Sequence, residues 1–266
     1  EGDRTVVKAR PIKSPHGFRT MKAPEVTAGA LGKEIEVAKR LADHYHGKVP
    51  VIATVDTPAS YLKALYCGFE HPSRFGAVIR YYQDDLKEGL KVMTEVTVKL
   101  TEEYAKAGVD GIFFATNVAN KHYMTEEEYK ELLLPSDLET VKAAEGKTWF
   151  NILHIHGDGE VFFDLLVNAL PVQAVNWHTV TTTVSLKEGA EKTDKILIGG
   201  VDHMKDFAIL DREELVKKMK ERVKDAADSV PANRLIIATG CSVIPPSIPD
   251  ARIGVLKDVV DEVYGR

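Results

Sequence analysis

The constraint that most narrows the fold of this chain is an alternation. Six short apolar runs of strand length recur along it, and each is followed by residues of helical pattern. The runs are 49–55 (VPVIATV), 111–116 (GIFFAT), 149–155 (WFNILHI), 174–177 (AVNW), 195–201 (KILIGGV) and 234–239 (RLIIAT). Near-continuous apolar strands are covered on both faces, and strand–helix alternation builds a parallel sheet through right-handed crossovers. The expected fold class is therefore α/β, a TIM (β/α)8 barrel spanning 1–266 as a single domain. Eight strands require two more than the six runs. The N-terminal arm and a portion preceding Glu1 are the two places for them. The competing architecture is an open doubly wound sheet, weakened by the lack of a GxGxxG or GxxxxGK[ST] phosphate loop.

Residues 1–24 are polar and punctuated by Pro11, Pro15, Gly17 and Pro24, and read as an exposed hairpin or arm. A helix is expected over 34–45, and others over 61–66 and 73–87, with a long one ending at Gly108. The segment Thr125-Glu126-Glu127-Glu128 has the pattern of a capping box, in which hydroxyl and carboxylate satisfy the free N–H groups of a new helix. Further helices are expected near 137–144, 161–169, 186–193, 212–229 and 251–264, with a proline-rich loop over 244–249.

The 266 residues are 44% hydrophobic, enough to bury a sizeable core. The net charge of -5, with no basic cluster, argues against nucleic acid as a partner. No apolar run approaches the ~20 residues of a membrane span, and no signal peptide is visible. The two cysteines, Cys67 and Cys241, lie far apart, so a disulfide framework is not expected and a reducing cytoplasm is the default location.

Ligands of parallel α/β folds bind at the C-terminal ends of strands. Those ends carry Asp56, Asn117, His154 with His156, Asn176 with His178, Asp202 with His203, and Cys241. A strand end that needs only a cap takes Gly, Ser, Asn or Asp; histidine at three of six ends asks for chemistry. His154 and His156 alternate with period two and so share a face just before the Gly157-Asp158-Gly159 break. Two imidazoles and the Cys241 thiolate match a catalytic zinc site with three protein ligands. The alternative is that the histidines bind loops and Cys241 is a small packing residue.

Asp202 and His203 follow Gly199-Gly200, where a ligand can approach the backbone. They are candidates for acid/base work, with a turn-capping Asp202 as the alternative. His178 is read the same way. Asp56 is an acid/base group, a contact to a substrate amine or pyrrole, or a cap before Pro58 at the first helical position. Asn117, Asn176 and Asp158 are candidate substrate contacts, and Asp158 is also a candidate partner that orients a histidine ligand. Cys67 is read as packing, and His16, His44, His46, His71 and His122 as surface residues.

These strand ends, taken together, resemble the uroporphyrinogen decarboxylase superfamily. VIATVDTPASYLKAL resembles its strand followed by a proline-started helix, and LHIHGDG its His-x-Cys-Gly segment. ILIGGVDHMKDF and LIIATGCSVIPPSIPDARIGVLKDVV resemble its later strand end and its closing strand, turn, proline pair and helix. The resemblance covers the whole chain and implies an α/β barrel. It also implies one of two activities. One is decarboxylation of uroporphyrinogen III to coproporphyrinogen III without a cofactor. The other is zinc-dependent methyl transfer between a corrinoid and a thiol such as coenzyme M. The decarboxylase branch carries an Arg-rich N-terminal segment that finds no match here. The methyltransferase branch implies zinc on His154, His156 and Cys241, with His178, Asp202 and His203 lining the pocket and Asp158 in support. It also implies a small thiol or tetrapyrrole substrate and a corrinoid protein as partner. Position 156 departs from that pattern, being His where the family has Cys, so two thiolates become one and the site is less electron-rich. A third reading is a non-catalytic tetrapyrrole- or corrinoid-binding barrel.

Overall fold

The computed structural model describes residues 9–68, 72–243 and 250–265. The proline-rich loop expected over 244–249 lies outside these residues, as do 1–8 of the expected arm. The chain divides into two compact units, 1–148 and 149–266. All six expected strands are present, in the expected order among helices. Among the described residues no helix is long and apolar enough to cross a membrane.

In the first unit, β1 (Ile52–Asp56) pairs in parallel with β2 (Gly111–Thr116), in register from Ile52 opposite Gly111 to Asp56 opposite Ala115. The helices are α1 (Gly29–Tyr45), α2 (Pro58–Tyr66), α3 (Pro72–Tyr81), α4 (Gln83–Lys106), α5 (Glu126–Leu132) and α6 (Leu134–Lys142). Pro58 starts α2, where its missing N–H costs nothing. In α4, Leu86, Leu90, Met93, Thr97, Leu100 and Tyr104 recur at spacings of three and four and are buried, so this helix supplies one broad inner face.

The stretch read as an exposed arm differs from that expectation. Residues 9–24 hold no strand; Pro15–Thr20 form a 3-10 turn, and Phe18 within it is fully buried. Gly89 of α4 makes room for it, since a Cβ there would lie 3.0 Å from Phe18 Cβ. One large aromatic among polar residues was the sequence signal for this docking. The Thr125 capping box forms as expected: its hydroxyl accepts from Glu128 N–H at 3.2 Å, and its own N–H donates to Glu128 Oε2 at 2.7 Å.

In the second unit, β3 (Ile152–Ile155), β4 (Ala174–Trp177), β5 (Ile196–Val201) and β6 (Leu235–Thr239) pair consecutively and in parallel. The helices are α7 (Phe163–Ala169), α8 (Leu186–Lys192), α9 (Arg212–Ser229) and α10 (Asp250–Tyr264). Leu153, Val175, Trp177 and Leu197 are wholly buried strand residues. Trp177 stacks near Phe163 at 4.8 Å and donates from Nε1 to Val184 O at 2.7 Å, so the largest core side chain also has its polar atom satisfied. Beyond β5, Val201, Phe207, Leu215, Met219, Val223, Val255 and Val259 form a second apolar cluster that binds α9 and α10. Buried Asp206 is held by the Arg222 guanidinium through two hydrogen bonds, at 2.8 and 3.2 Å.

Candidate metal centre

The register of the second unit assembles the site. His154 on β3 lies opposite Asn176 on β4, and Asn176 opposite Ile198 on β5. Asn176 donates from Nδ2 to Ile198 O at 2.9 Å and to Thr239 O at 3.1 Å. With both amide hydrogens engaged, its oxygen faces His154, and His154 Nδ1–H donates to it at 2.6 Å. That hydrogen bond fixes the ring with its lone pair on Nε2, the form a metal ligand requires.

His178 is set the same way by a different partner. It follows the end of β4, and its Nδ1 lies 3.0 Å from Asp158 Oδ1. Asp158 is 72% exposed at its side chain, whereas His178 is 5% exposed. The Thr181 hydroxyl also donates to Asp158 Oδ1. The other nitrogen of His178, Nε2, is buried with no hydrogen-bond partner among the described residues.

Cys241 completes the group. It follows Gly240 beyond the end of β6, and its sulfur lies 3.5 Å from His156 Nδ1. Gly240 is required there by close approach: a Cβ would fall 2.8 Å from His178 Cα and 3.0 Å from Trp177 O. The ligand atoms of His154, His156, His178 and Cys241 all lie within 4.8 Å of one another. His154 and His178 are buried, while His156 and Cys241 are half-buried, so the cluster is open on one side.

The electrostatics follow from this crowding. Burial alone would raise the Cys241 thiol, but the His154, His156 and His178 rings around its sulfur outweigh it and push its pKa down to about 3. Cys241 is therefore a thiolate throughout the neutral range. Burial lowers His178, yet Cys241 and Asp158 raise it by more. The Cys241 sulfur is close enough for this effect although Nε2 is not aligned for a hydrogen bond. Burial opposes ionisation of Asp158, and the Thr181 hydroxyl with His178 still hold its carboxyl below the usual range. His203, whose ring centroid is 4.6 Å from that of His178, is lowered by burial and then by His178.

The donor set fits zinc. Three imidazoles and a thiolate are its preferred ligands. Two of the imidazoles have their far nitrogen held by a hydrogen-bonding partner, and the orphaned Nε2 of His178 would be satisfied by an ion held within the cluster.

The other expected site residues are placed differently. Asp202 is buried, and its Oδ1 accepts from the N–H groups of Met204 and Lys205 at 2.9 and 3.1 Å. It therefore makes the turn after β5, which is the capping alternative. The close approach at Gly199 is made by the protein itself, because a Cβ there would meet Thr179 Cγ2 at 2.5 Å. Asn176, read as a substrate contact, faces His154 and two backbone carbonyls. Asp56 and Asn117 belong to the first unit, where Asn117 Nδ2 lies 3.4 Å from Asp56 Oδ1 and Asn117 N–H donates to Ser60 Oγ at 2.8 Å.

One residue was missed and another was given too narrow a role. His178, expected as an acid/base or pocket residue, also stands in the cluster, and the signal for that was Asn176-Trp177-His178, which repeats at the end of β4 the alternation of His154-Ile155-His156. Lys63 is a buried lysine in the first unit, donating to Asn117 O at 3.3 Å with its Nζ 4.8 Å from the Tyr123 ring centroid. A lone lysine in the apolar helix ASYLKALY was the mark of it.

A parallel α/β fold with a histidine–cysteine cluster at its strand ends defines the class of protein. More specifically, the chain belongs to the uroporphyrinogen decarboxylase (URO-D) family, whose model matches residues 1–263. A comparison with curated protein sequences gives no match. Among solved structures, the chain is similar to a methyltransferase from Methanosarcina mazei. That match has a TM-score of 0.75 and 20% identity, covering 91% of this chain and 68% of that one. It is also similar to a B12-independent methionine synthase from Shewanella sp. W3-18-1 in complex with selenomethionine, with a TM-score of 0.62 and 17% identity over 87% of this chain and 66% of that one. A third is the putative vitamin-B12 independent methionine synthase from Listeria monocytogenes, with a TM-score of 0.57 and 14% identity over 87% of this chain and 70% of that one. The chain thus spans about two thirds of the length of each. These likenesses show the fold, which is the α/β barrel type of the family.

Proposed function

We propose that this chain carries the zinc site of a methyltransferase that moves a methyl group between a corrinoid and a small thiol. The observation that carries this reading is the convergence of His154, His156, His178 and Cys241 within 4.8 Å. The named activities of the similar solved structures, methyl transfer and methionine synthesis, support it. Zinc bound there supplies a Lewis acid that holds a substrate thiol as thiolate at neutral pH.

The chain's own residues prepare that site. Asn176 and Asp158 fix the tautomers of His154 and His178 before any ligand arrives. The imidazoles around Cys241 hold its thiol pKa down to about 3, so the sulfur is offered as a thiolate. Half-buried His203 stands beside His178 and contacts the substrate's polar end. Histidine at 156 leaves a single thiolate in the set, which makes the centre more electron-poor and favours an anionic thiol. A porphyrinogen decarboxylase, the second reading, would leave the four-donor cluster without a task.

The test is elemental analysis of protein purified without added metal, as the native chain and as Cys241→Ala and His156→Ala. Close to one zinc per native chain, lost in both variants, is expected. Methyl transfer from methylcobalamin to a panel of thiols is expected to vanish in Cys241→Ala. Native protein without zinc, or unchanged transfer in the variant, sinks the reading.

A further inference from the structure

The four donors are not held alike. His154 is fixed from the strand interior, by an asparagine that is 4% exposed and tied to two backbone carbonyls. His178 is fixed from the surface. Its partner Asp158 lies between Gly157 (φ 135°) and Gly159 (φ 70°), both in the left-handed region that a side chain would strain. The loop is pinned to the turn after β4 at three points: Gly159 N–H to Thr181 O at 3.0 Å, Thr183 N–H to Gly159 O at 2.9 Å, and the Thr181 hydroxyl to Asp158. Such a tight, glycine-flanked tether serves little purpose for an exposed aspartate unless its position matters. What its position controls is the buried His178, whose Nε2 has no hydrogen-bond partner among the described residues.

We infer that Asp158 is a positioning residue for the metal site. By accepting from His178 Nδ1–H it turns the unpartnered Nε2 into the cluster, and so makes His178 a donor beside His154, His156 and Cys241. The inference rests on the zinc reading above and adds to it a division of labour. A rigid strand asparagine sets one imidazole, and a surface loop sets another. Thr181 belongs to the same device, since it shares the Asp158 oxygen that His178 uses.

The test uses the full chain loaded with cobalt(II) or zinc(II), with affinity read by competition against a chromophoric chelator and geometry by the cobalt d–d absorption. Asp158→Ala is expected to weaken metal binding roughly tenfold to a hundredfold, the usual consequence of losing an outer partner of a histidine ligand. It is also expected to change the cobalt spectrum. Asp158→Asn keeps an acceptor oxygen and should recover part of the affinity. In a His178→Ala background, Asp158→Ala should add nothing. Asp164→Asn, which alters an exposed aspartate ion-paired with Lys192 in the same unit, should leave affinity and spectrum unchanged. Native affinity and spectrum in Asp158→Ala, or an additive loss in the double variant, overturn the inference while leaving the metal reading intact. A native chain that takes up neither metal overturns both.

Discussion

Among the described residues three buried side-chain polar atoms find no hydrogen-bond partner, Thr101 Oγ1, Asp137 Oδ1 and His178 Nε2, and the last two, one in each unit, differ in what surrounds them. In the second unit it is His178 Nε2, within a set of three further donors. In the first it is Asp137 Oδ1, on a carboxyl that is 1% exposed and whose other oxygen accepts from the Tyr129 hydroxyl. The Tyr129 hydroxyl also lies 3.3 Å from Thr116 Oγ1 at the end of β2. Burial pushes Asp137 up to about 7, with Tyr129 opposing, whereas the histidines push Cys241 down to about 3. An orphaned atom among converging donors of metal-binding type stands where a bound ion would satisfy it. A buried carboxyl paired with a tyrosine hydroxyl holds its proton more tightly instead. The lesson is that an unsatisfied buried group marks a site only when other groups point at the same place.

The sharpest way to break this comparison is to remove the thiolate on one side and the acid on the other, and read metal. Cys241→Ala takes away the only anionic donor of the cluster, and tight zinc binding should be lost altogether. Asp137→Asn should retain the native zinc content. Zinc lost equally from both variants would mean that the metal content reports general damage, and the contrast between the two orphans would fail.

Next in size is the pH dependence that Asp137 imposes. Its pKa in the folded chain, about 7, is above the ordinary 3.8. The native state therefore binds the proton more tightly than the unfolded state, and stability falls as pH rises from about 4 to about 7. At 1.36 kcal/mol per pKa unit, three units give a loss on the order of 4 kcal/mol across that window. Asp137→Asn stays neutral and should remove this contribution. Urea unfolding of both proteins at pH 4.5 and pH 7.5 measures it. Parallel behaviour of the two proteins would show that Asp137 ionises in the fold as freely as in water, and the first unit would hold no buried acid of this kind.

How much of this was legible in the sequence depends on the range of the interaction. The six strands were legible because each is a run of apolar residues bounded by polar ones, which is a local pattern. His154, His156 and Cys241 were legible as candidates because strand ends face ligands in this class of fold. The task of Asn176 was not, because it depends on which residues lie opposite one another across β3, β4 and β5, and register is not written in any single strand. Asp202 offered two readings of equal local merit. Only the positions of Met204 and Lys205 N–H decide for the turn. The Tyr129–Asp137 pair was invisible for a related reason. The two residues are eight apart on different helices, α5 and α6, with Pro135 in the first turn of the second, so no helical spacing links them.

The smallest effect separates local stability from site chemistry. Among the described residues each unit shows one capping box of the same construction, Thr125 with Glu128 on α5 and Ser185 with Glu188 on α8. Thr125→Ala and Ser185→Ala should each cost about 1 kcal/mol, since each removes the hydroxyl that accepts from the third helical N–H. The two helices serve the two orphans. α5 carries Tyr129, the donor to Asp137. α8 begins just after Val184, which accepts from Trp177, the neighbour of His178, and carries Gly189, where a Cβ would lie 2.8 Å from Trp177 Cη2. If strand register alone sets the metal site, Ser185→Ala will lower the unfolding midpoint while the cobalt spectrum stays native. A spectrum altered by Ser185→Ala would instead make α8 part of the machinery that positions His178, and the site would extend one layer deeper than its hydrogen bonds reach.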